Sequence, residues 1–181
     1  MNFFFFSWRK LRVFPLYRKF ARIFSKGIEI KEADPKDLQK VREWFRQLDK
    51  EPSDFTSTHV TTFIAQKKER ILGHARLVRN LEERHPLRGY WLSSLAVGEQ
   101  FQGMGIGEGL TQEIIARAKE EGAKELLLIV YEDQNPAIYL YRKLGFQIKK
   151  DSPLEDDLEQ ERAYLGSKKV VMCKPLCLLI R

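Results

Sequence analysis

Residues 91–109 read WLSSLAVGEQFQGMGIGEG, and the fold is decided within them. Trp91 to Val97 is apolar and strand-like, a short turn follows, and Gly103, Gly105 and Gly107 then recur at alternate positions before a helical pattern starts at once. Glycines let a backbone approach a ligand closely, and the first N–H groups of a helix lack intrahelical partners and carry partial positive charge. Strand, glycine loop and helix N-terminus in that order suit a pyrophosphate, cradled along Gln102, Gly103, Met104, Gly105, Ile106 and Gly107. The plainer alternative is a tight strand-to-helix turn with no ligand.

Working outward, Ile106, Leu110, Ile114, Ile115 and Ala118 fall on one helical face, and Gly122 is placed to end that helix. The run ELLLIVY at 125–131 is almost uninterruptedly apolar, as expected of a strand covered on both faces. Asn135-Pro136 opens a further helix through Ile138, Tyr141 and Leu144, and 146–150 reads as a strand. Upstream, 27–33 alternates as a first strand, and Asp34-Pro35 caps an amphipathic helix carrying Leu38, Val41, Trp44, Phe45 and Leu48. Strands at 60–66 and 71–79 flank a charged turn, while 49–59 and 80–88 are polar loops. Downstream, 151–166 holds Glu155, Asp156, Asp157, Glu159 and Glu161 and reads as a solvated helix, and 169–176 closes the sheet. This order predicts an α/β fold with a mixed, mostly antiparallel central sheet flanked by helices.

The 181 residues fit one domain with a proper core, and 43% hydrophobic with 31% charged content is ordinary for a soluble globular chain. The formal charge of +7 is not spread evenly. Residues 1–26 hold Arg9, Lys10, Arg12, Arg18, Lys19, Arg22 and Lys26 and no acid; removing those seven from 32 Lys and Arg leaves 25, equal to the 25 Asp and Glu. The sequence therefore divides into a basic aromatic N-terminal arm, 1–26, and a neutral domain, 27–181.

In the arm, Phe3 to Phe6 is too short to span a bilayer and precedes the charges, the reverse of a secretory signal. From Pro15, the residues Tyr17, Phe20, Ala21 and Phe24 recur at helical spacing with Arg18, Lys19 and Arg22 between them. Three readings stay open: a membrane-surface anchor, packing against its own domain or a partner subunit, and a nucleic-acid contact, the least favoured. Two cysteines, Cys173 and Cys177, indicate inert reduced thiols and a cytoplasmic protein, peripheral on the inner face of the membrane if the arm is an anchor. His59, His74 and His85 are scattered, so no metal set is expected.

Together, LAVGEQFQGMGIGEGL and LLLIVYEDQNPAIYLYRKLGF resemble the acyl-CoA-binding half of the GNAT superfamily, N-acyltransferases that typically move acetyl from acetyl-CoA to an amine. The glycine loop, Asn135-Pro136-Ala137 at a helix start and Tyr-x-Lys-x-Gly-Phe ending that helix come in the family's order over roughly 89–147; residues 28–177 are compatible with the whole fold. Other nucleotide motifs fit worse: a Walker loop needs Lys-Ser/Thr where Glu108 and Gly109 stand, and the dinucleotide fingerprint belongs after the first strand. The resemblance implies that Leu95, Ala96 and Val97 pair with the pantetheine arm, where their strand splays from the strand ending at Tyr131. It implies that Gln102 through Glu108 wrap the pyrophosphate and that Asn135 helps hold the arm.

The chemistry implied is acetyl transfer to a primary amine of a small molecule or protein. An amine of pKa about 10.4 must lose a proton before attacking the thioester, and the oxyanion needs a donor, which the resemblance assigns to a backbone N–H of Leu95–Val97. Tyr141 corresponds to the general acid that protonates the departing thiolate, against the alternative of a core aromatic. The family's usual base positions are here Trp91 and Ser93, neither a good base; Ser93, His74 and Glu132 are weak candidates, with deprotonation through water or binding as the free amine also open. A non-catalytic acyl-CoA-binding module recruited by its arm is the rival function. No oligomeric state is singled out between monomer and homodimer.

Overall fold

The computed structural model describes residues 26–46, 59–83, 85, 87–150, 152–166 and 168–176. The expected arm helix, most of the 49–59 loop and Cys177 lie outside the described residues. Strands β1 (Glu29–Glu32), β2 (Val60–Lys67), β3 (Arg70–Asn80), β4 (Gly89–Val97), β5 (Glu125–Tyr131), β6 (Gln147–Ile148) and β7 (Lys169–Pro175) form one sheet in the order β1-β2-β3-β4-β5-β7-β6. All neighbours are antiparallel except β4 and β5, so the mixed, mostly antiparallel sheet is as expected. Helices α1 (Pro35–Arg46), α2 (Ile106–Glu120), α3 (Asn135–Lys143) and α4 (Glu155–Leu165) flank it.

The caps explain where the helices start. Asp34 Oδ1 accepts the N–H of Asp37 at 2.8 Å, while Asp37 Oδ2 accepts the N–H of Asp34 at 3.3 Å, a reciprocal cap that places Pro35 at the first helical position. Asp37 also pairs with Lys31 Nζ at 2.7 Å, tying α1 back to β1.

The main core lies between the sheet and α2, whose Leu110, Ile114 and Ala118 are fully buried against Ala75, Leu77 and Leu126. The other sheet face carries two smaller clusters: Val41, Ile64 and Ile71 under α1, and Trp91, Leu127, Leu154 and Val171 where α4 begins. Three expectations need correction. The acidic helix α4 is not simply solvated, because Leu154 and Leu158 dock it on that second cluster. Nor is β5 covered on both faces throughout: Leu126, Leu128 and Val130 point into the main core and Leu127 into the α4 side, but Ile129 is 38% exposed, since the covering cluster ends below it. The strand expected at 146–150 shortens to β6, because Phe146 turns its ring into the core against Tyr141, with ring centroids 5.7 Å apart.

Candidate active site

The sheet opens in its middle. β4 and β5 pair through only Tyr90–Leu126 and Trp91–Leu127, although the strands run on to Val97 and Tyr131. Beyond Trp91, the β5-facing edge of β4 has no strand partner, leaving N–H and C=O groups that an amide-containing chain can pair with as an added strand.

A bulge lies in this open segment. On β3, His74 and Arg76 are two residues apart, yet their partners Ala96 and Ser93 are three apart, so β4 holds one extra residue at Ser94–Leu95. Ser94 takes φ +52°, a left-handed conformation costing on the order of 1 kcal/mol for a residue other than glycine. The insertion exchanges the faces: before it, Leu92 points into the main core and Trp91 away from it, whereas beyond it Leu95 and Val97 pack on the main core. On the far side, Ser94 Oγ accepts a hydrogen bond from Arg76 Nη2 and lies 3.4 Å from Ser93 Oγ.

The glycine loop meets the end of this strand. Gly105, at φ +84°, is the N-cap of α2 and offers no side chain to its first turn; the first i→i−4 bond runs from Gly109 N–H to the Gly105 carbonyl at 2.9 Å. The N–H groups of Ile106, Gly107 and Glu108 precede that bond and point out of the helix start. Gly103, also left-handed at φ +80°, turns the loop, and Gln102 Nε2 donates to the Val97 carbonyl at 3.2 Å, fastening the loop to β4. A Cβ at Gly107 would lie 3.5 Å from Leu140 Cδ2, 3.8 Å from Val97 Cγ2 and 4.0 Å from Leu95 Cδ2. The helix start, the open strand and α3 therefore converge on one spot.

Of the residues picked from sequence, Leu95, Val97, Gln102 and Gly107 are brought together there, and Gly103, Gly105 and Ile106 build the turn. Met104 is half-buried against the core. Ala96 pairs with His74, and its carbonyl lies 2.7 Å from where a Gly73 Cβ would stand, so β3 and β4 close only because residue 73 is glycine. Glu108, an acid in an anion-seeking first turn, is held by Lys143 Nζ from α3 at 2.6 and 2.8 Å. Asn135 is exposed at the first position of α3, its N–H donating to the Asp133 carbonyl at 2.8 Å.

Tyr141 is both a core aromatic and a neighbour of the site. It is 6% exposed, follows Leu140 on α3, and burial raises its phenol from 10.0 to about 12, so it holds its proton throughout the neutral range. The weak base candidates lie in different settings. Trp91 is buried against Leu127, Leu154 and Val171, with its indole N–H donating to the Leu87 carbonyl at 2.7 Å, so its ring is taken up by packing. His74 is fully buried with its ring edge-on to Trp44 at 5.6 Å, and exposed Glu132 lies 3.8 Å from Lys168 Nζ. Ser93 is half-buried beside Ser94.

A strand split from its parallel neighbour, with a glycine-capped helix start at the split, has a known counterpart. The profile described as "Acetyltransferase (GNAT) family" matches residues 15–146. The chain belongs to the GNAT family. Among curated proteins it is 32% identical over 85 residues to N-alpha-acetyltransferase 30 of Schizosaccharomyces pombe, covering 47% of this chain and 56% of that protein. It is 46% identical over 55 residues to an N-alpha-acetyltransferase of Sulfurisphaera tokodaii, covering 30% of this chain and 33% of that one. These matches thus span about half or less of the curated relatives. The solved ribosomal-protein-S18-alanine N-acetyltransferase from Escherichia coli superposes with a TM-score of 0.62 at 18% identity over 83% of this chain and 95% of its own. Arabidopsis thaliana NAA60, in complex with a bisubstrate analogue, gives 0.60 at 16% identity over 82% and 97%.

Within this GNAT site, sequence reasoning missed Arg76 and Ser94. The available signals were a charge inside the otherwise apolar strand ILGHARLV and two serines in succession where alternation asks for one. Among the described residues no group of three or more His, Cys, Asp or Glu is placed to hold a metal.

Proposed function

We propose that this GNAT protein is an acetyl-CoA-dependent N-acetyltransferase acting on a primary amine of a small molecule or protein. The observation that carries the reading is the convergence at Gly107 of the α2 start, which has no side-chain cap, the unpaired edge of β4 and α3, with Tyr141 next to Leu140. Leu95 to Val97 would offer strand hydrogen bonds to the pantetheine amides, and Gln102 to Glu108 would cradle the pyrophosphate. A β4 N–H would receive the oxyanion, Tyr141 would protonate the thiolate, and Asn135 would steady the cofactor arm. The test is thiol-detected CoA release from acetyl-CoA with a panel of amines. Peptides with free N-termini belong in it, because relatives are named as N-alpha-acetyltransferases.

One observation favours the rival, a non-catalytic acyl-CoA-binding module: Trp91 is buried, and Ser93 is the only side chain at the family's base positions that borders the opening. Acetyl-CoA binding without turnover on any amine would support it. Residues 1–26 are proposed as an arm appended to a domain at 27–181, making peripheral contact with a membrane or a subunit in a cytoplasmic protein. The full chain should then sediment with anionic liposomes while a chain starting at Gly27 does not, and equal sedimentation would sink the membrane reading.

A further inference from the structure

Arg76 and Ser94 form a unit on the sheet face opposite α2. Arg76 is 7% exposed, and burying a guanidinium costs free energy that its hydrogen bonds offset in part. One of those bonds goes to Ser94 Oγ. The other non-glycine residue with positive φ among those described, Lys68, lies in the exposed β2–β3 turn, where that conformation is ordinary. Ser94 instead adopts it inside a strand, in the segment where β4 has just lost β5. A serine at an even position of a regular β4 would share the face of Leu92; the left-handed turn brings its hydroxyl to Arg76, which stands opposite Ser93 on the other face.

We infer that Arg76 is a positioning residue: through the Ser94 hydroxyl it holds the β4 bulge, and so fixes the direction of the Leu95–Val97 edge. This rests on the acyl-donor reading of that edge. Arg76 does not touch the reacting atoms in this role. Its effect passes through one backbone conformation, which glycine would adopt unaided. The role therefore differs from direct binding of an anionic acceptor by the guanidinium, since a glycine at 94 relieves the need for Arg76 only if Arg76 acts on the bulge.

The experiment uses the full chain, with acetyl-CoA affinity by calorimetry, kcat and KM with an accepted amine, and the thermal midpoint as a check on folding. Ser94→Ala, which keeps a Cβ and loses the hydroxyl, and Arg76→Met should each lower kcat about tenfold or more, with KM for the amine changing less than threefold. Ser94→Gly should retain more kcat than Ser94→Ala, and Arg76→Met/Ser94→Gly should match Ser94→Gly within twofold. An Arg76→Met loss as large in the glycine background as in the serine one overturns the inference. So does Ser94→Ala equal to or better than Ser94→Gly, a comparison that decides the matter if Arg76→Met does not fold. Wild-type protein that binds no acetyl-CoA overturns the acyl-donor reading as well, whereas wild-type turnover with unaffected variants overturns the role of Arg76 alone.

Discussion

Removing one oxygen from Tyr141 separates packing from catalysis. The ring is 6% exposed and edge-on to Phe146, and phenylalanine keeps its whole apolar volume, so Tyr141→Phe should change stability by less than about 1.5 kcal/mol. The proton is held tightly. Burial lifts the phenol from 10.0 to about 12, and two units correspond to about 2.7 kcal/mol against the phenolate, so at any ordinary assay pH the group can donate a proton but cannot act as a base. Loss of a general acid typically costs 10²–10⁴ in rate, and kcat for CoA release should fall by roughly that range while acetyl-CoA affinity stays within about threefold. Steady-state thiol detection and calorimetry on the same preparations give both numbers. A kcat reduced less than about fivefold with an unchanged melting point would refute the acid role and leave Tyr141 as packing alone. The same shift makes a stability prediction. Below pH 10 the phenol is protonated in both native and unfolded chains, and its contribution is fully present. Between pH 10 and about 12 the unfolded chain ionises first, so native stability falls by up to about 2.7 kcal/mol in the wild type and not in Tyr141→Phe. Urea titrations at pH 8, 10 and 11 would show the two curves separating only above pH 10.

Four further substitutions probe named positions. Gly105→Asp places a carboxylate and a Cβ at φ +84° on the cap of α2, and should abolish measurable acetyl-CoA binding in calorimetry; undiminished affinity would mean that the phosphates bind elsewhere. Gly73→Ala puts a Cβ 2.7 Å from the Ala96 carbonyl, a backbone atom, and should cost about 1–3 kcal/mol in denaturant unfolding, whereas Gly109→Ala meets only the flexible end of the Ile30 side chain and should cost less. Arg79 donates two hydrogen bonds of 2.5 Å to Glu121, the main cause holding that carboxylate below its usual range, so the stabilisation is present above the unfolded carboxylate pKa and disappears as pH falls through the folded one; Glu121→Gln should remove this part of the acid dependence in a pH series of melts.

The loop and its flanking elements were legible because their signals are local. Alternate glycines, an apolar run and Asn-Pro each dictate a conformation within a few residues, and the helix from Ile106 and the strand at Glu125–Tyr131 stand where those signals put them. The exposure of Ile129 was not legible, since ELLLIVY says nothing of how far along β5 its cover extends. Tyr141 illustrates a different limit. Helical periodicity marks it as a core residue, and only the fold shows that the core position lies one residue from Leu140, which packs at the glycine loop.

The bulge explains why the base could not be found by counting along β4. In a regular strand Trp91, Ser93, Leu95 and Val97 share a face, so positions 91 and 93 would look into the same space as the segment proposed for the cofactor. The extra residue at Ser94–Leu95 breaks that equivalence: Leu95 and Val97 pack toward α2, while Ser93 stays with Arg76 on the other face. If the acyl donor lies along the open edge of β4, groups that serve the amine are to be sought on the face of Ser93 and the exposed Ile129, where α4 ends its cover. Trp91 is taken up by its own packing, and we propose that Ser93, whose hydroxyl is a poor base at neutral pH, orients a water or an amine that arrives already neutral. The second alternative carries a sign: kcat/KM should rise with pH toward the amine's own pKa of about 10.4 and should keep that dependence in Ser93→Ala.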